Sequence, residues 1–419
     1  MFNISSAFHS FFDRNIFERI IIYVFLADLL VKIIFELILG QWSFVQSQNK
    51  QWFFYGFLAL DYLISFRKVA YLRVTVNPMS IFGFILLIMM AHGLFMGISN
   101  GNKLFDIFND TIPLLMIALN IFRMQSTTEY REVDLRFLLH VCIFCCIGTF
   151  VFGFAAGALG KPSQASLAGI TIFLPLLFAC MISMKNCPKW IIIIAFLMLL
   201  STLNDMNRTN MAFLALVMCG YITINTVKQP VKGLTAIVIA LLGVTFAWQM
   251  VPKDSKTYNR VVGLTSIDLS QSKGSVGERQ EEWREIKRKL KSKGETVHMF
   301  GLGFGGLYEV ARTHFFLTDY GHAHYAWAWF NLRFGKVGYI YMGIMMSLLM
   351  YNLLAWSMRG GEQAMFVSLL CVISLLYCMT YVNAVFLMSG IQFMYHRGFR
   401  REQTNSRGIP IGANQGQPV

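Results

Sequence analysis

Long apolar runs with few charges, roughly 15 to 20 residues each, constrain this chain more than any other feature. That length is what a helix needs to cross about 30 Å of hydrocarbon, whereas the strands of a membrane barrel would be shorter and alternate in polarity. The runs are too many to hide in a soluble core: of 419 residues 56% are apolar and only 14% charged, so lipid is the expected solvent. The spacing predicts helices near 20–39, 52–66, 81–98, 104–122, 137–154, 165–182, 190–203, 211–226, 234–251, 337–355, 366–379 and 383–395. The expected class is therefore all-α: a polytopic membrane protein of about twelve transmembrane helices. The first run carries Asp28, Lys32 and Glu36 and has no small-residue cleavage site behind it, so it reads as a retained helix rather than a signal peptide.

The formal charge of +14 could point to nucleic acid, but its distribution gives another account. With the amino terminus in the cytoplasm, the inside segments carry Arg14, Arg19, Arg67, Lys68, Arg73, Arg123, Arg131, Arg136, Lys185, Lys189, Lys228, Lys232, Arg359, Arg397, Arg400, Arg401 and Arg407. The short outside segments carry only Lys50, Lys103, Lys161 and Arg208. This is the positive-inside asymmetry, and it sets both termini in the cytoplasm with no nucleic-acid partner expected. The chain then divides into helices 1 to 9 (residues 1–251), an extracytoplasmic loop (252–334), helices 10 to 12 (335–395) and a Gly-, Asn-, Gln- and Pro-rich cytoplasmic tail (396–419) expected to be disordered.

All eight cysteines, Cys142, Cys145, Cys146, Cys180, Cys187, Cys219, Cys371 and Cys378, lie in or beside apolar runs. Phe, Ile and Val surround Cys142, Cys145 and Cys146, so core packing rather than a disulfide framework or a metal site is expected.

Candidate chemistry gathers in three places. The boundary between the seventh and eighth runs places Asn204, Asp205, Asn207 and Arg208 together. An arginine at the mouth of an apolar bundle can fork a phosphate, or it can pair with Asp205 in a plain helical turn. In the loop, Val276 to Lys293 is rich in helix formers, with Arg279 and Trp283 one turn apart on one face and Arg284 adjacent. This arrangement suits a lipid diphosphate at headgroup level; it equally suits a surface helix drawn to anionic lipid by Lys287, Arg288, Lys289, Lys291 and Lys293. Gly301, Gly303 and Gly306 spell G-x-G-x-x-G but lack the strand–turn–helix frame of a dinucleotide site. Close backbone packing is the expected role. Further on, His322 and His324 precede Trp327 and Trp329; a neutral imidazole there could take a proton from a sugar hydroxyl, or the whole segment could be an interfacial aromatic belt.

In order and spacing these residues resemble the O-antigen ligase and polysaccharide polymerase superfamily. In that family an Arg opens a mid-chain helix, a Gly-Arg-like motif with a following Trp and a G-x-G stretch lie in one late periplasmic loop, and a His-Asn-x-Tyr-Leu follows, with Gly-x-x-Gly eleven residues after the His. Here Arg208, Arg279 with Trp283, Gly301 to Gly303, His324, Gly335 and Gly338 fall in that order. Tyr325 stands in place of the Asn, Trp327 in place of the Tyr, and Glu278 separates Gly277 from Arg279, so His322 rivals His324 for the family role.

The resemblance covers roughly residues 190–340. It implies a metal- and cofactor-independent glycosyltransferase of the bacterial inner membrane. That enzyme would move a glycan from an undecaprenyl-diphosphate carrier to an acceptor sugar hydroxyl, either on another glycan (polymerase) or on lipid A-core (ligase). Arg208 and Arg279 would hold the diphosphate and stabilise the leaving group, and His324 would act as general base. Asn207, Trp283, Arg284 and His322 would contact substrate. The alternative is a transporter or flippase of lipid-linked sugars, with Asp28, Lys32, Glu36, Asp61, His92, Asp106 and Asp110 lining a polar path.

Overall fold

The computed structural model describes residues 16–31, 46–66, 78–126, 133–158, 167–187, 275–309, 320–321 and 326–378, with single positions at 34, 231 and 238. The described chain is predominantly helical. Its first six helices are α1 (Ile16–Val31), α2 (Gln46–Phe66), α3 (Pro78–Ser99), α4 (Leu104–Ser126), α5 (Leu135–Ala158) and α6 (Leu167–Ser183). After them come α7 (Ser275–Ser292), α8 (Glu295–Phe300), α9 (Ala326–Phe334), α10 (Val337–Ser357) and α11 (Glu362–Cys378). A two-residue antiparallel ladder pairs β1 (Tyr308–Glu309) with β2 (Tyr320–Gly321), Tyr308 opposite Gly321, a small addition to an otherwise helical expectation. The expected helices at 190–203, 211–226 and 383–395, most of 234–251, and the tail lie outside the described residues.

Among the described residues, the apolar runs locate α1 to α6, α10 and α11 but misplace some ends. α1 and α11 begin about a turn earlier than the apolar run, and α2 extends back to Gln46 through Gln48, Asn49 and Lys50, because helical hydrogen bonding continues through polar residues that no hydropathy window counts. α5 starts where it does because Asp134 caps it: its Oδ1 accepts the backbone N–H of Arg136 and of Phe137, each at 3.1 Å. α9 was anticipated only as an aromatic belt at the end of the loop. Its residues Ala326, Ala328, Trp329, Phe330, Asn331, Leu332, Arg333 and Phe334 are all buried, so the segment is a core helix inside the hydrophilic stretch.

Neighbouring helices pack α2 on α1 and α4, α3 on α4 and α10, α11 on α10 and α6, and α5 on α6 and α1, so the succession of contacts closes on itself. α10 shows why: Gly338, Met342, Met345, Leu349, Asn352 and Trp356 are buried at alternating steps of four and three, one stripe of an α-helix. Cys142, Cys145, Cys146, Cys180 and Cys371 are buried, in keeping with the expected packing role.

Among the described residues, two helical segments, Ile81–Ser99 and Val337–Ser357, are long and apolar enough to cross a bilayer. Their outward faces are apolar as well. On α3, Ile81, Phe84, Ile88, Phe95 and Ile98 are exposed, again at steps of three, four or seven, and α10 exposes Ile340, Ile344 and Leu354. A continuous apolar stripe of this kind is costly against water and suited to lipid.

Polar contacts gather at the two ends of the helices. At one end Arg19 pairs with Asp61 at 2.8 Å, and the Asp134 N–H donates to Glu18 Oε1 at 2.7 Å. There too the Lys185 N–H donates to Glu362 Oε1 at 2.7 Å, and Gln363 Nε2 donates to the Val133 carbonyl. These are the start of α1, the end of α2, the α4–α5 and α6 ends and the start of α11, all of which the charge alternation assigns to one side. At the opposite end, the turn between α3 and α4 meets the chain that follows α8.

Candidate functional site

The α3–α4 turn is built by a Schellman-type stop. The Gly101 N–H donates to the Ile98 carbonyl and the Asn102 N–H to the Gly97 carbonyl, each at 3.0 Å. This turns the Asn102 side chain onto the glycine-rich segment 301–306, where its Nδ2 donates to Leu302 O at 2.8 Å and Phe304 O at 2.7 Å. Asn100 adds a bond to Leu302 O at 3.3 Å.

From the other side, the last turn of α9 offers carbonyls that have no intrahelical donor. The Leu302 N–H fills Leu332 O at 2.9 Å and the Gly303 N–H fills Arg333 O at 3.0 Å. The Phe304 N–H reaches Gly93 O on α3 at 2.8 Å, and the Gly305 N–H donates to Asp110 Oδ2 on α4 at 2.7 Å. Arg333 completes the seat. Fully buried, it pairs with Asp110 at 2.7 Å and donates from a terminal guanidinium nitrogen to the Gly306 carbonyl.

The N–H groups of residues 302–305 and the carbonyls of Leu302, Phe304 and Gly306 thus find partners on α3, α4, α9 and the α3–α4 turn, as non-helical backbone against an apolar bundle must. The N–H groups that a phosphate would need are already occupied, which agrees with rejecting a dinucleotide site. The glycines act by close approach. At Gly303, φ is +74° and a Cβ would overlap the backbone of Met96 and Gly97. At Gly335, φ is +58° and a Cβ would stand 2.6 Å from Gly301 N and His298 O. The Phe304 ring fills the space over Gly93 and packs edge-on to Phe334 at 5.8 Å, and His92 beside it contacts both Tyr341 Oη at 3.1 Å and Phe300 O at 3.0 Å.

α7 is amphipathic. Glu282, Ile286 and Leu290 are buried while Arg284, Lys287, Arg288 and Lys291 are exposed. Trp283, at the edge of the inner face, packs on Tyr339 of α10 at 6.0 Å between ring centroids, with Lys287 Nζ over its ring at 4.7 Å. Trp327 of α9 packs on the same Tyr339 at 6.1 Å. Arg279 occupies the helical position one turn before Trp283. Arg284 lies on the outward face, and Glu285 pairs with Arg288 at 2.7 Å. Arg208, Asn207, His322 and His324 lie outside the described residues.

Of the residues read as a possible transport path, Asp61 is engaged by Arg19 at one end, whereas His92 and Asp110 sit at the other beside the glycine-rich segment. Asp28 is buried and Asp106 is half-buried; Lys32 and Glu36 lie outside the described residues. Sequence reasoning missed Arg333 and the role of Asp110, and the available signal was an arginine inside an aromatic run, paired by sign with an acid on an early helix.

Fold and site together define a predominantly helical protein, with helices fit to cross a bilayer and a glycine-rich segment clamped onto one end of them. No protein-family model matches the sequence, and comparison with curated proteins finds no significant relative.

Proposed function

We propose that this protein is a membrane glycosyltransferase of surface polysaccharide assembly, with an undecaprenyl-diphosphate-linked glycan as donor and an acceptor sugar hydroxyl as nucleophile. Polymerase chemistry is preferred to ligation onto lipid A-core, because nothing in the sequence singles out that acceptor. The proposed setting is a bacterial inner membrane, with twelve crossings, both termini cytoplasmic and residues 252–334 outside.

The observation that carries the reading is the meeting of Trp283 and Trp327 on Tyr339. It brings the helix bearing Arg279 to α9, the helix that begins two residues after His324 in the sequence. In the proposed mechanism Arg279 and Arg208 neutralise the diphosphate as the glycosidic C–O bond breaks, and His324 takes the acceptor proton as the new C–O bond forms. The end-to-end grouping of the polar contacts supports the topology: the α3–α4 turn and the loop meet at one end, as alternation requires.

The test is complementation of a deletion strain with wild type, His324→Ala, His322→Ala, Arg208→Ala and Arg279→Ala at matched membrane levels. Loss of surface glycan with His324→Ala or an arginine variant is expected. Single lipid-linked repeats accumulating would identify a polymerase, and long lipid-linked polymer a ligase. Normal glycan from all four variants would sink the transferase reading and favour transport.

A further inference from the structure

We infer that Asp110, Arg333 and Asn102 form a latch that holds the extramembrane segment on the first-half helices, and that through it Asp110 and Asn102 are positioning residues for donor binding. The role in donor binding rests on the transferase reading above; the latch itself does not.

Three independent observations support it. First, the anchor spans the chain: Asp110 on α4 joins Arg333 on α9, more than two hundred residues later, while also accepting the Gly305 N–H. Second, Asn102 binds two carbonyls of the same segment from the neighbouring turn, so the seat does not depend on charge alone. Third, the clamped segment is continuous with α8, and α8 packs on α7 and α10. The Lys336 N–H donates to His298 O at 3.2 Å, tying α8 to the same corner.

A continuous path of contacts therefore runs from α4 through residues 301–306 and α8 to α7, the helix that carries Arg279 and Trp283. Asp110 and Asn102 need not touch substrate to matter. A displaced α7 would loosen the grip on a diphosphate, and small misplacements of binding groups are costly to enzymes.

The experiment uses the purified full-length chain, with lipid-linked glycan extracted from the deletion strain as donor. Hydrogen–deuterium exchange of the peptide covering 301–306 reads the latch, and steady-state kinetics read the positioning. For Asp110→Asn, exchange in that peptide should rise on the order of tenfold while α10 and α11 peptides stay unchanged. The donor KM should rise about tenfold with kcat within about threefold, and Asp110→Glu should restore both. Asn102→Ala should move both in the same direction with the charge pair intact.

Unchanged exchange in both variants would overturn the latch. Raised exchange with wild-type KM would overturn the positioning role. Full activity of Arg279→Ala in the same preparation would remove the transferase reading separately, and leave the exchange result standing.

Discussion

Replacing Arg333 with alanine should cost about 3–5 kcal/mol of stability, the range expected when one member of a buried ion pair is removed. The loss has two sources. The Asp110 carboxylate, whose side chain is only 12% exposed, is left with the Gly305 N–H as its one remaining partner in the seat, and the Gly306 carbonyl loses its guanidinium donor. Desolvated charges and carbonyls without partners are the expensive part, more than the lost attraction.

Thermal unfolding of the purified chain in detergent, compared with wild type, reads the effect. An Arg333→Met, Asp110→Leu double variant should recover part of it, because removing both charges leaves neither stranded. If Arg333→Ala behaves like an ordinary surface change, within about 0.5 kcal/mol of wild type, the pair does not hold the segment.

Gly303→Ala should be comparably severe, by a different route. The new Cβ would enter the backbone of α3 at Met96 and Gly97, which cannot yield without bending the helix, and φ at +74° adds about 1–2 kcal/mol for any residue with a Cβ. The segment would have to lift, and the Phe304 N–H bond to Gly93 O with it. Relief of the clash therefore forfeits the seat, and a loss of at least about 3 kcal/mol is expected, among the larger effects of single substitutions.

Gly56→Ala is the internal control. It is exposed in the middle of α2, and a Cβ there meets nothing within 4 Å, so alanine should gain about 0.5–1 kcal/mol of helix stability. Equal melting shifts for the two variants would mean that close packing at Gly303 is not what the residue provides.

Much of the helical framework was legible because it depends on local quantities. Apolar run length located α3, α4, α5, α6 and α10, and the density of helix formers located α7 within one residue at each end. The glycine-rich stretch was recognisable as a place of close backbone approach, since it lacked the frame a nucleotide needs. Two things were not legible. α9 looked like an interfacial belt, because nothing local says that its aromatic residues are enclosed by α3, α7, α10 and α11. Asp110 looked like one more acid along a possible path, because its partner stands on a helix far away in sequence.

The sequence by itself determined where most of the described helices lie, how the basic residues are distributed between the apolar runs, and the order of the candidate arginines, tryptophans and histidines along the chain. Only the tertiary structure decided which of the charged residues are spent on holding the fold. Helix propensity and hydropathy act within a few residues, whereas the burial that makes Arg333 need Asp110, and Leu302 to Gly306 need three different helices, exists only after those helices have come together.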